Sequence, residues 1–131
     1  MEIQEHIKFW IESADDDLKV ADNLYNSGNY NWCLFVGHLV LEKAFKANYI
    51  QTNGNKVPPK IHDLLKLAIK SNIALNDHQF NFFELVNRFC IAGRYIEYKQ
   101  EITKFATKEK AFEILESIKK EFEWLKSLIK Y

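Results

Sequence analysis

Apolar residues recur every three or four positions along nearly the whole chain, and no stretch alternates apolar and polar residues long enough to read as a strand. A first helix over about 2–26 places Ile3, Ile7, Trp10, Ala14, Leu18, Ala21 and Tyr25 on one face, and Gly28 suits a left-handed cap after it. A second helix over about 30–52 is stopped by Asn53, Gly54 and Pro58-Pro59, where missing N–H groups and a restricted preceding residue disfavour helix. A short third helix, about 61–71, turns Ile61, Leu64, Leu65 and Ala68 inward. The fourth, about 77–91, opens with Asn76 and Gln79 at capping-box spacing and carries Phe80, Phe83, Val86 and Cys90. From Gly93 to about Ala106 the pattern reads as irregular. The last helix follows a Thr107 N-cap and repeats Ala111, Leu115, Ile118, Phe122, Leu125 and Ile129 between glutamates and lysines. Short connections favour antiparallel neighbours, so the expected fold is all-α: a four-helix up-and-down bundle with the short third helix accessory to it.

The second helix differs from the others. From Trp32 to Leu41 every residue is apolar except Gly37 and His38, and Glu42, Lys43 and Lys46 follow. A helix apolar on nearly every face is the centre of a bundle or one side of a dimer. His38, Glu42 and Lys46 repeat every four residues and form one row on it. The row reads either as a Glu42–Lys46 ion pair beside a hydrogen-bonded histidine, or as a polar strip facing water, a partner subunit or a ligand, because polar groups buried unpaired are costly.

With 131 residues, 47% of them hydrophobic and 15% aromatic, the chain suits a single domain over 1–131 with one core. Neither repeats nor a composition break mark a second unit. The apolar run is about half of the ~20 residues that a bilayer requires, so no membrane span is expected. Acidic residues throughout the first 17 positions argue against a secretory leader. Cys33 and Cys90 lie in apolar surroundings without metal or redox spacing and read as buried reduced thiols, consistent with a cytoplasmic protein.

Eighteen basic and eighteen acidic side chains balance, which excludes the strongly basic footprint of a general nucleic-acid binder. The distribution is uneven: residues 1–27 hold seven acids against Lys8 and Lys19, and residues 42–70 hold six lysines against Glu42 and Asp63. One end of the molecule can therefore attract an anion. Asp15, Asp16 and Asp17 do not make a metal site, since adjacent helical residues point ~100° apart and form a solvated acidic face. Four glycines scattered singly exclude a glycine-rich phosphate loop.

Arg88, Arg94, Tyr95, Tyr98 and Lys99 form a second constellation. Two arginines six positions apart among aromatics can clamp a phosphate while a ring stacks on a base. Alternatively Arg94 caps the last carbonyls of the fourth helix and the tyrosines seal the bundle end. His62-Asp63-Leu64, after the prolines, can supply a base or order a helix start, with Asp63 near the positive end of the helix dipole.

Taken in order, Trp10, Ala14, Asp17-Leu18, Ala21, Gly28, Tyr30, His38 through Glu42-Lys43 to Lys46, His62-Asp63-Leu64 and Ala92-Gly93-Arg94-Tyr95 resemble the HEPN domain. The ordered set carries the resemblance, over about residues 8–98. It implies a helical bundle that commonly dimerises, is often encoded beside a minimal nucleotidyltransferase, and is associated with nucleotide or RNA binding. Many members are metal-independent RNases whose signature is an arginine followed after four to six residues by a histidine. This chain departs from that signature: Arg94 follows Arg88 with five residues between, and the last histidine is His78. Loss of a general base typically costs ~10²- to 10⁴-fold in rate.

The resulting expectation is a non-catalytic subunit, homodimeric, binding ATP or another nucleotide and paired with a minimal nucleotidyltransferase in a toxin–antitoxin-like system. Arg88, Arg94 and Tyr95 would contact phosphate or base, with His38, Glu42 and Lys46 lining the cleft or dimer seam and no metal required. An RNase drawing its base from His38 or His62 is the runner-up, and a purely structural helical dimer the third reading.

Overall fold

The computed structural model describes residues 1–131, apart from the side chains at positions 93, 94 and 96–99. Six helices follow one another, with no strand among the described residues: α1 (Ile3–Asn26), α2 (Tyr30–Thr52), α3 (Leu64–Lys70), α4 (Asp77–Arg94), α5 (Ile96–Phe105) and α6 (Lys108–Ser127). The all-α expectation therefore holds. No helix of the described residues is long and apolar enough to cross a membrane.

α2 is the element on which the others pack: α1, α3, α4, α5 and α6 all lie against it. Its composition explains the position, because Leu34, Val40, Leu41, Ala44, Phe45, Ala47 and Ile50 occupy different faces of one helix and are all fully buried. A helix apolar all round reaches water on no side without loss, so neighbours must cover it. α4 contributes Phe83, Val86 and Phe89, and α6 contributes Ile118, Phe122 and Leu125. Phe45 meets Phe83 edge-to-face at 5.2 Å between ring centres. Each large side chain removed from water in this way contributes about 1.5–3 kcal/mol.

α1 presents Ile7, Ala14 and Ala21 as its buried stripe, and α6 presents Ala111, Leu115, Ile118, Phe122 and Leu125, as their spacing predicts. The approach of α6 to α2 depends on Gly37: a Cβ there would lie 2.6 Å from Cδ1 of Ile118. Gly28, at φ +80°, supplies the left-handed residue between α1 and α2. Asn76 and Gln79 form the reciprocal capping box at the start of α4, and Thr107 accepts from the Lys110 N–H at the start of α6.

Two boundaries differ from the sequence expectation. The stretch from Gly93 to Ala106 is not irregular. α4 runs on to Arg94, Tyr95 alone is extended (φ −125°, ψ 119°), and α5 follows. Ile102 and Phe105 of α5 pack on the core, Phe105 within 6.0 Å of the Phe89 ring. This apolar stripe is narrow and flanked by charges, which hid it from periodicity. The third helix is also shorter than expected, because Ile61 and His62 precede its Asp63 N-cap.

The acidic residues of α1 diverge as helical geometry requires. Asp17 meets Lys43 at 2.7 Å, and Asp15 lies 3.9 Å from Lys126 on α6. No group of three metal-ligating side chains occurs among the described residues. Cys33 and Cys90 are free and buried, and burial pushes the Cys33 thiol up to about 11.

Candidate functional site

The polar row of α2 turns inward. His38 is fully buried, and Glu42 and Lys46 nearly so, inside a helix otherwise surrounded by apolar packing. Such groups must find partners: His38 and Glu42 both reach one residue outside the helix, His62, and Lys46 pairs with Glu42.

His62 lies in the segment between Pro59 and α3, and both its backbone and its ring are held. Its carbonyl accepts a hydrogen bond from Nε2 of His38 at 2.8 Å. Because a carbonyl only accepts, Nε2 of His38 carries the proton. Nδ1 of His38 then lies 3.8 Å from Oε1 of Glu42, too far for a hydrogen bond. Burial, outweighing the nearby carboxylate, keeps the His38 pKa below its ordinary 6.5, so the ring is neutral at pH 7.

The ring of His62 is fixed by Glu42, whose Oε1 accepts from Nδ1 at 2.9 Å. The other oxygen, Oε2, accepts from Nζ of Lys46 at 2.9 Å. Burial opposes ionisation of Glu42. The hydrogen bonds from Lys46 and His62, together with the Lys46 charge, overcome it and hold the carboxyl below its ordinary 4.5. Lys46 in turn lies 5.5 Å above the Trp10 ring of α1, a cation–π contact that offsets part of its desolvation. The His62 side chain is 46% exposed, whereas that of Glu42 is 7% exposed.

The residues after His62 are tied to α4. Asp63 accepts from the N–H groups of Leu65 and Lys66 and caps α3. It also accepts from Nδ2 of Asn87 at 2.9 Å, while Oδ1 of Asn87 accepts from the Leu64 N–H at 3.0 Å. His62 is thus positioned by α2 and its neighbours by α4. The ordering role read from His62-Asp63-Leu64 is filled by Asp63. Asn87 and the pairing of Glu42 with His62 were not anticipated; spacing on one helix says nothing about a loop residue twenty positions away.

Arg88, the next residue on α4, is 68% exposed at its side chain and lies 3.9 Å from Glu84. It lines a cleft of about 520 Å³ between α4 and α5, with Leu85, Phe89, Ile91, Ile102 and Phe105 as the apolar walls and Glu101 on the far side. Tyr95, also exposed, marks the break between the two helices. The side chains of Arg94, Tyr98 and Lys99 lie outside the described residues, and so does the clamp expected of Arg88 and Arg94. The described residues thus show two arrangements: an imidazole oriented by Glu42 of α2, and an apolar cleft with an exposed guanidinium.

No curated protein and no solved structure significantly matches the chain. A family model described as the HEPN domain matches residues 7–128, nearly the whole length, and with its order of helices and motifs the chain belongs to the HEPN domain family.

Proposed function

We propose that the protein is a nucleotide-binding HEPN subunit without ribonuclease activity. It acts as a homodimer whose long helices α1, α2, α4 and α6 form an up-and-down bundle, and it pairs with a minimal nucleotidyltransferase in a toxin–antitoxin-like system in the cytoplasm. The observation that carries this reading is the α4–α5 cleft. Its aromatic and aliphatic walls suit a nucleobase and Arg88 suits a phosphate, the division of labour that nucleotide sites use. Arg94 and Tyr95 complete the site in this reading. His38, Glu42 and Lys46 are buried, so in this reading they hold the His62 segment in place and do not touch the nucleotide. The missing histidine after Arg88 supports the absence of RNase activity. Exposed Ile91 and Tyr95 beside the cleft support an intersubunit seam there.

Native mass spectrometry of the protein drawn gently from its own cells tests the reading. A dimer carrying a nucleotide or a nucleotidyltransferase supports it, and a bare dimer counts against it. Arg88→Ala and Arg94→Ala should each abolish ATP binding while leaving the helical signal unchanged. Unchanged affinity would remove the cleft from the proposal.

The second reading, a metal-independent RNase, is favoured by the Glu42–His62 hydrogen bond, because a carboxylate-oriented imidazole is what a general base requires. His38 does not suit that role, being fully buried with Nε2 engaged. RNA cleavage that survives His62→Ala would exclude this version.

A further inference from the structure

The α4–α5 cleft holds a second charged side chain that phosphate binding leaves unused. Among its described lining residues two are charged, Arg88 from α4 and Glu101 from α5, on opposite sides of walls built from Leu85, Phe89, Ile102 and Phe105. The ion pair of Arg88 is with Glu84 of its own helix, at 3.9 Å, rather than across the cleft. A cation and an anion thus stand apart over an apolar floor. A ligand that bridges them must be anionic at one end and present hydrogen-bond donors at the other.

These opposed charges fix the direction in which a nucleotide enters. Its phosphate goes to Arg88, because Glu101 repels it. Its base then lies between the apolar walls, where the Phe89 and Phe105 rings stand 6.0 Å apart at 32°, in a space of about 520 Å³ that suits one small ligand. The edge of the base farthest from sugar and phosphate faces Glu101. A carboxylate accepts hydrogen bonds and donates none. Adenine and cytosine each turn one amine and one ring lone pair towards such a group, and uracil sets its single N–H between two carbonyls. Among the common bases guanine alone offers two adjacent, parallel donors, the ring N1–H and the exocyclic N2 amine, which match the two oxygens of one carboxylate.

We infer that Glu101 is a base-selecting residue that makes the cleft a guanine-nucleotide site. The inference rests on the nucleotide reading of the cleft and adds the identity of the base. ATP can enter the same walls and reach Arg88, but it leaves a ring lone pair facing the carboxylate. Glu101 is exposed, so water competes for its oxygens and the preference is graded rather than absolute.

Isothermal titration calorimetry of the intact protein with GTP, inosine triphosphate and ATP at one ionic strength tests the assignment. GTP should bind on the order of tenfold more tightly than ATP, the factor expected of one charge-assisted hydrogen bond at an exposed position. Inosine triphosphate keeps the ring N–H but lacks the amine, and should fall between them. Glu101→Gln replaces one acceptor with a donor, which complements the donor and acceptor of adenine, so the order should reverse and ATP should bind more tightly than GTP. Equal affinities for GTP and ATP in the unaltered protein, a comparison that needs no variant to fold, with both lost in Arg88→Ala, would overturn the guanine assignment and leave the nucleotide reading standing. A Glu101→Gln protein with the original order of affinities would likewise overturn it. Binding of none of the three nucleotides would overturn both.

Discussion

Glu42 and His62 stand on different elements, yet the carboxylate Oε1 of one accepts a hydrogen bond from Nδ1 of the other at 2.9 Å. The bond crosses from a nearly buried helix position to a half-exposed loop ring. It links the interior of the fold to its surface through one side chain.

Stability should depend on pH through the two buried members of this group. Both His38 and Glu42 have folded pKa values below their ordinary 6.5 and 4.5, so each binds fewer protons folded than unfolded. Stability from each is present above its ordinary value and is lost as pH falls through its folded value. The urea midpoint should therefore decline as pH is lowered below 6.5 and decline again below 4.5. His38→Gln, which can keep a donor towards the His62 carbonyl, should remove the first decline and retain the second. A midpoint rising with acid would contradict both assignments.

Much of this was legible in the sequence, though unevenly. The amphipathic stripes of α1 and α6 were readable because buried positions such as Ala14, Ala21, Ile118 and Phe122 follow helical spacing without exception. The centrality of α2 followed from a run with no polar face. α5 was not readable, since among its described side chains Ile102 and Phe105 mark the inner face, and Gly93 suggested a break that the helix passes over. In the site, the i, i+4, i+8 row of His38, Glu42 and Lys46 was visible, but its direction was not. Whether a polar row faces water or the interior depends on what lies opposite, and His62 comes from a loop whose path no local pattern encodes.

Asp63 should matter for stability and for the site together. It caps α3 through the N–H groups of Leu65 and Lys66 and accepts from Asn87 of α4. Asp63→Ala removes the cap at a cost of about 1 kcal/mol and leaves Nδ2 of Asn87 without this acceptor. Asp63→Asn retains an acceptor and should restore most of the loss. Chemical denaturation reads the stability, and amide exchange at Leu64 to Lys66 reads the release of the segment. Protection at these amides that is unaffected by Asp63→Ala would separate the cap from the ordering of His62.

Gly37 gives a packing prediction with a built-in rescue. Alanine is the better helix former by roughly 0.5–1 kcal/mol, yet its Cβ would lie 2.6 Å from Cδ1 of fully buried Ile118. Overpacking of a filled core costs about 1–3 kcal/mol, so Gly37→Ala should be net destabilising. Ile118→Val deletes the clashing methyl and alone leaves a small cavity costing about 1 kcal/mol. Combined, the two changes should be less destabilising than the sum of their separate effects. Simple additivity in the thermal or urea midpoints would show that α6 shifts as a body instead of meeting α2 at this methyl.

The Glu42–Lys46 pair gives the sharpest prediction, because the two charges are buried side by side with 2.9 Å between Oε2 and Nζ. Glu42→Gln leaves the Lys46 ammonium without its counter-charge, and Lys46→Met leaves the Glu42 carboxylate dependent on His62 alone. Breaking a buried pair from one side costs about 3–5 kcal/mol, whereas replacing both members with groups of similar volume is often neutral. The double variant Glu42→Gln with Lys46→Met should therefore be more stable than either single variant, with the introduced thioether resting on the Trp10 ring where the ammonium now lies 5.5 Å away. A double variant no more stable than either single variant, read from the urea midpoints, would show that the two buried charges contribute to folding beyond their mutual attraction.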